Sequence, residues 1–497
     1  MTQTNERTLP IKSRFIKNIT ALTAALVALV LAGCPAVGPD YVRPDPVTPA
    51  AWNSPLADGL QAAAPDPEAL ARWWTSLEDA VLSDMIGRAV TGNLDLQSAL
   101  ARVRETRAQR GISQAGYYPS LDAGASASKS RGSAASGTGA TREFYATGLD
   151  AGWELDIFGG VRRSVEAAEA DLDASHADLG DVLVSLMAEV ALNYVDVRTL
   201  QMRLGVAEAN AQAQEETHAL ARSRYEAGLS DELAVQSAIY TLAGTRAQIP
   251  ALKTALESAK NRVAVLLGEA PGAVHAALAE KRPIPVPPVS VAVGVPANSV
   301  RNRPDVRRTE RALAAQTARI GVATAEKYPK FTLFGSIGYE SVSAGDLIDS
   351  GSRVWQYGPR VSWRLFDGGA IRQNIEVQSA RQEQALRQYQ ATVLGALEEA
   401  ENALTAYVGE QLRRDSLIVA TDAAEQAFKL ARDQYQAGLV DFSEVLIAQR
   451  SLLSFEDQLA QSDGTVTANL IRIYKSLGGG WTPLSDADIQ QEQALDE

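Results

Sequence analysis

YATGLDAGWEL, residues 145–155, and WQYGPRVSWRL, residues 355–365, are the two stretches on which the fold turns. In the first, Tyr145, Thr147, Leu149, Ala151, Trp153 and Leu155 take the odd positions, while Asp150, Glu154 and, just beyond, Asp156 take even ones. In the second, Trp355, Tyr357, Val361, Trp363 and Leu365 stand opposite Gln356, Arg360, Ser362 and Arg364. Successive side chains of a strand point to opposite faces, so both stretches read as strands with one apolar and one polar face. Phe331, Leu333, Ile337 and Tyr339 supply a third, and Leu121, Ala123, Ala125 and Ala127 a weaker fourth. Half-buried strands of a soluble sheet show the same alternation. A strand that crosses a bilayer needs roughly 9 to 11 residues with one face toward lipid and one toward water, and these segments have that length. Four strands cannot close a barrel, and an open edge in lipid leaves peptide groups unsatisfied at several kcal/mol each. The strands are therefore expected to be pooled between chains. Three copies would give twelve and two would give eight, and the pattern alone leaves that choice open.

Each strand pair is followed by a long proline-free stretch. Apolar or small residues recur in alternating steps of four and three at Val161, Val165, Ala168, Leu172, Ser175, Leu179, Val182 and Leu186. Leu386, Val393, Leu397, Ala400, Leu404 and Tyr407 answer them later in the chain. This spacing predicts helices over 161–227 and 370–437, each roughly 100 Å long at 1.5 Å per residue. Helices of that length have little core of their own and are expected to pack side to side, as in coiled coils.

The two sets of elements share one plan. A shift of about 210 positions brings Asp95 onto Asp305, Tyr118 onto Tyr328, Trp153 onto Trp363 and YEAGL at 225–229 onto YQAGL at 435–439. Gly268 meets Gly478 in the same register. Each half reads as a helix, two strands, one very long helix, a tight turn and a shorter helix. The expected organisation is a signal segment (1–33), a Pro-rich N-terminal segment (34–77), a first repeat (78–280), a Pro-rich linker or surface crossing (281–296), a second repeat (297–480) and a C-terminal tail (481–497).

The N-terminus reads as a targeting segment. Lys12, Arg14 and Lys17 precede an uncharged run over 19–32 that closes on LAGC at 31–34, too short to remain as a membrane span. Cys34 is the single cysteine, so no disulfide forms within the chain. It stands beside Pro35 and Pro39, in sequence that reads as unpackable. Removing residues 1–33 takes away four basic side chains and one acid, so the charge of −13 becomes −16 and nucleic acid is excluded as a natural partner.

Catalytic patterns are missing. His176, His218 and His275 are the only histidines and none sits in HExxH spacing; GxxxxGK[ST] and GxSxG strings are also absent. The expectation is a protein that is not an enzyme, with no cofactor and no metal. A helical stalk with a structural or adhesive role is the competing class, and such a stalk should line its centre with apolar residues.

GCPAVGPDYVRP at 33–44, RWW at 72–74, RNRPDVRRTERALAAQTARIGVATAEKYP at 301–329 and YGPRVSWRLFDGG at 357–369 carry a resemblance over nearly the whole chain. The sequence resembles the TolC-like outer-membrane efflux proteins, in particular their OprM/NodT lipoprotein branch. The resemblance implies an α+β membrane protein: a homotrimer with a 12-stranded β-barrel, four strands per chain, continuous with a long α-helical periplasmic barrel. It implies a bacterial outer-membrane location, acylation of Cys34 and passive export of small molecules. The implied partners are a periplasmic adaptor and an inner-membrane pump of the resistance-nodulation-division (RND) class. Secretion of proteins or peptides through another pump remains an alternative. Tyr225, Gly228, Leu229, Tyr435, Gly438 and Leu439 match the family's hairpin tips, where an adaptor would dock. Within DFSEVLIAQR, residues 441–450, the match points to a channel constriction at Asp441, Glu444, Ile447 and Arg450. Ile447 departs from the pattern, since relatives commonly carry an aspartate there.

Overall fold

The computed structural model describes residues 36–45, 48–288 and 290–482. Cys34, the proposed lipid site, lies outside them. The chain forms two compact units, each assembled from three separated stretches: 36–44, 104–173 and 310–387 in the first, and 45–103, 174–309 and 388–482 in the second.

In chain order the elements are β1 (Leu60–Gln61), α1 (Pro67–Ala71), α2 (Ala80–Gly92), α3 (Leu94–Ala115), β2 (Ser120–Arg131), β3 (Thr141–Leu155), α4 (Gly160–Glu226) and α5 (Glu232–Leu266). They continue with β4 (Val291–Ala292), α6 (Pro296–Asn302), α7 (Pro304–Ala325), β5 (Lys330–Ser341), β6 (Arg353–Ser362), α8 (Ala370–Gln436) and α9 (Phe442–Ser476). Each half holds helices of 22, 67 and 35 residues in the same order. Matching bonds occur 210 positions apart. Trp153 Nε1 donates to the Tyr117 carbonyl at 2.9 Å and Trp363 Nε1 to that of Lys327 at 3.0 Å. Asn93 donates to the Leu266 carbonyl at 2.9 Å, and Arg303 to that of Ser476 at 2.8 Å.

The first unit contains an antiparallel sheet in the order β2-β3-β5-β6. Its register gathers the alternating apolar residues on one face: Ala123 pairs with Leu149, Leu149 with Ile337, and Ile337 with Trp355. On the other face Asp122, Asp150, Ser336 and Gln356 form a polar row. Next to it Gly148 and Gly338 are paired. A Cβ on Gly338 would stand 2.4 Å from the Thr147 carbonyl oxygen, so this row requires glycine. Among the described residues the edges β2 and β6 have no further strand beside them.

The second unit packs four helices together: salt bridges join α5 to α4, α4 to α9 and α9 to α8, and α5 also approaches α9 directly near the tips. Arg262 of α5 pairs with Glu189 of α4 at 3.0 Å, and Arg246 with Glu215. Arg203 of α4 reaches Asp457 of α9 at 2.7 Å, and Arg414 of α8 reaches Asp463 of α9 at 2.5 Å. Where α4 and α9 cross, a Cβ on Gly464 would meet the Thr199 hydroxyl at 2.0 Å, so the missing side chain permits the close approach. Below them Trp73 stacks on Tyr474 at 5.3 Å, within a core that also buries Leu82, Met85, Ile86 and Leu267. Burial of each such side chain contributes about 2 kcal/mol.

Two readings of the proline-rich segments need correction. The stretch over 281–296 is more than a surface crossing, because Val291–Ala292 pairs in parallel with Leu60–Gln61 while Ile284 and Val293 are buried. Valines set between prolines supply an extended edge whose side chains can still enter a core. Residues 36–41 likewise pack against the first unit, through contacts set out below, although this sequence reads as unpackable.

Candidate functional site

The two hairpin tips and the first turns of α9 lie in the second unit. Both long helices end in the same way. Gly228 donates to the Tyr225 carbonyl at 2.9 Å and Leu229 to that of Arg224 at 2.8 Å; Gly438 donates to Tyr435 at 3.0 Å and Leu439 to Gln434 at 2.9 Å. This is the paired bonding of a helix closed by a left-handed residue, and the glycines sit at φ +73° and +74°. The chain then re-enters a helix at Asp231, whose carboxylate accepts from Ala234 at 3.0 Å, and at Asp441, whose carboxylate makes no such bond.

Leu229 and Leu439 are exposed at 67% and 74%, and Tyr225 at 43%, so these three can meet a partner. Tyr435 cannot do so as expected, since it is only 4% exposed. Its ring packs on Phe442 at 5.1 Å, the Arg224 guanidinium lies 4.8 Å above it, and its hydroxyl donates to Ser230 at 3.4 Å. One difference between the halves accounts for this: the position 210 before Phe442 is Glu232, so Tyr225 has no aromatic neighbour there to bury it. Arg224, which no sequence pattern singles out, also donates to the Gln436 carbonyl at 3.0 Å and so joins the two tips.

On α9 the buried side is Phe442, Val445, Leu446, Gln449 and Leu452. Asp441, Glu444, Ile447 and Arg450 are all exposed and point away from that cluster. Arg450 Nε donates to the Leu446 carbonyl of its own helix at 3.3 Å. Glu444, Ile447 and Arg450 follow one another at intervals of three and share one side of the helix. They present an acid, an aliphatic side chain and a base to whatever space α9 faces. Further along, Glu456 accepts from Asn210 at 2.5 Å, and burial holds its carboxyl above the usual range despite that bond. Among the described residues no cluster of His, Cys, Asp and Glu could hold a metal ion, and no helix is long and apolar enough to cross a membrane.

The family profile described as "Outer membrane efflux protein" matches residues 85–269 and 295–479, two stretches that are themselves 210 positions apart. Nodulation protein T of Rhizobium leguminosarum bv. trifolii is 31% identical over 473 residues, covering 95% of this chain and 99% of the relative. The cation efflux system protein CusC of Escherichia coli O6:H1 is 30% identical over 460 residues, covering 92% of this chain and 97% of that one. A solved structure of the outer-membrane channel OprN matches with a TM-score of 0.84 at 36% identity, over 90% of this chain and 99% of that chain. With both halves of the profile aligned to the two sets of strands and long helices, this chain belongs to the outer membrane efflux protein family.

Proposed function

We propose that the chain is the outer-membrane exit duct of a tripartite efflux system, a passive conduit for small molecules that catalyses no reaction. In this reading three copies surround one lumen, twelve strands close a barrel in the outer membrane, and the long helices form a periplasmic tube. An inner-membrane pump of the resistance-nodulation-division class supplies the energy through a periplasmic adaptor that docks on Tyr225, Leu229 and Leu439. Acyl chains on Cys34 hold the N-terminus to the membrane, since several chains anchor stably where one does not. The matching halves reflect duplication of one unit.

The observation that carries this reading is that the sheet is open, with unlike edges. The sheet ends in β2 on one side and β6 on the other, and its apolar face is exposed at Leu149, Ile337 and Trp355. Lipid does not tolerate unpaired strand edges, so β6 of one copy pairs with β2 of the next. Unlike edges that meet head to tail generate a ring. The relatives named for efflux and for an outer-membrane channel support the same assignment.

Deletion of the gene, followed by tests of susceptibility to dyes, detergents and divalent metals, checks the proposal. Increased susceptibility to at least one class, restored by the intact gene, is expected. Unchanged susceptibility together with unchanged protein secretion would count against an export role of any kind.

A further inference from the structure

Residues 36–41 are held to the first unit by one side chain from α4. Arg163, 5% exposed at its side chain, donates through Nε to the Val37 carbonyl at 3.1 Å. Its Nη2 reaches the carbonyls of Gly38 at 3.4 Å and Ala36 at 3.5 Å, and the Asp40 carboxylate at 2.6 Å. Its Nη1 is held by Glu166 at 2.7 Å. The Val37 N–H donates in turn to the Phe158 carbonyl at 3.1 Å. Space for this arrangement comes from a missing side chain on α7: a Cβ on Gly321 would stand 2.7 Å from the Arg163 stem and 2.9 Å from the Val37 oxygen. Tyr41 closes the run by donating to the Glu310 carboxylate, with the Arg311 guanidinium 5.4 Å from its ring.

The place where this strap lies matters. Phe158 is three residues beyond the end of β3 and stacks on Tyr328, which precedes β5, at 4.6 Å. At this same end of the sheet Tyr118, Trp153, Trp363 and Phe366 are exposed. A band of exposed aromatics at the end of amphipathic strands is the mark of a membrane interface. Ala36 is two residues from Cys34, a reach of at most about 7 Å.

We propose that Arg163 is a positioning residue that turns residues 36–41 into a fixed strap, so that the N-terminal acyl chains enter the bilayer beside this aromatic band rather than from a free tether. The proposal rests on the acylation of Cys34. The strap therefore sets where along the sheet the anchor sits, and a guanidinium is needed because several carbonyls and a carboxylate must be met by one planar fork.

The test uses the full-length chain in its native membrane, fed a palmitate analogue that carries a diazirine. After photolysis, adducts are mapped by mass spectrometry. In the parent they are expected on peptides that contain Phe158, Tyr328 or Trp363. Arg163→Ala should keep its acyl label and its membrane insertion but lose about tenfold of those adducts, and Arg163→Lys should recover part of them. Should Arg163→Ala fail to fold, Asp40→Asn and Gly321→Ala disturb the same strap from other sides and are expected to lower the adducts in the same way. Adducts scattered over the chain in the parent, or unchanged in the Arg163 and Asp40 variants, would overturn the proposal. Absence of label from Cys34 in the parent would instead defeat the acylation reading on which it rests. A disulfide formed between Val37→Cys and Phe158→Cys in unlabelled membranes would then report separately on whether Arg163 holds the strap; equal yields with and without Arg163 would reject the clamp.

Discussion

Asp181 is a half-buried carboxyl on α4 on which opposite charges from the second half of the chain act. Burial, and next the like charge of Asp305 on α7, hold it above the ordinary aspartate value of 3.8, against the pull of Arg308 and Arg303. The folded chain therefore binds this proton more tightly than the unfolded chain. The charged form costs stability at neutral pH, and that stability returns as the pH falls through the raised value. Asp181→Asn is expected to raise the thermal midpoint of the detergent-solubilised protein at neutral pH by the equivalent of about 1 kcal/mol or less. The gain should fade as the pH falls through the raised value and be gone once it reaches the ordinary aspartate range. A gain of equal size at both pH values would show that titration of this group is not its source. Individual contacts of this kind left little trace in the sequence. Asp181 and Arg163 are one charged residue each in a long helical pattern, and their burial depends on segments more than 100 positions away. Gly464 reads in sequence as a weak point of a helix, while in the fold it is where α4 and α9 touch.

Elements were far more legible, because period and length are local properties. Alternation in YATGLDAGWEL predicts a strand that the sheet places at β3, with its odd residues sharing the apolar face as read. The helices expected over 161–227 and 370–437 span Gly160–Glu226 and Ala370–Gln436, their ends set by the glycines at the tips. Exposure of the tip side chains was less legible, since Tyr435 is buried by a partner seven residues ahead, across a turn, and by Arg224 from another helix. On α9 the candidate constriction residues Glu444, Ile447 and Arg450 are exposed, while Val445 and Leu446 between them are buried. Rings of charge select ions in narrow pores. Single-channel recordings in planar bilayers are therefore expected to show weaker cation preference for Glu444→Gln and larger conductance for Arg450→Ala. Currents identical to the parent in both variants would remove the constriction from these positions.

In the proposed trimer, association between copies draws on what each unit leaves unfinished. In the helical unit, Leu412, Val419 and Leu430 of α8 are all exposed, at intervals of 7 and 11 residues that return to one side of a helix. Leu233, Tyr240 and Ala247 of α5, spaced by seven, do the same on their own helix. Two exposed apolar seams have no use in a single chain, where they would only expose hydrocarbon to water. In the proposed trimer they become the contact between neighbouring copies. This gives a discriminating substitution, Val419→Glu. Val419 is 69% exposed in the single chain, so a change there should alter the folding of one copy by no more than about 0.5 kcal/mol. In the ring the same glutamate would be buried against α5 of the next copy with no cation to pair it, which costs several kcal/mol at each of the repeated contacts. Native mass spectrometry in detergent is expected to show trimers for the parent and mostly smaller species for the variant, with helix content by circular dichroism unchanged. Full retention of trimers would mean that this seam faces solvent, and that the copies are held together through other helix contacts or through the sheet alone.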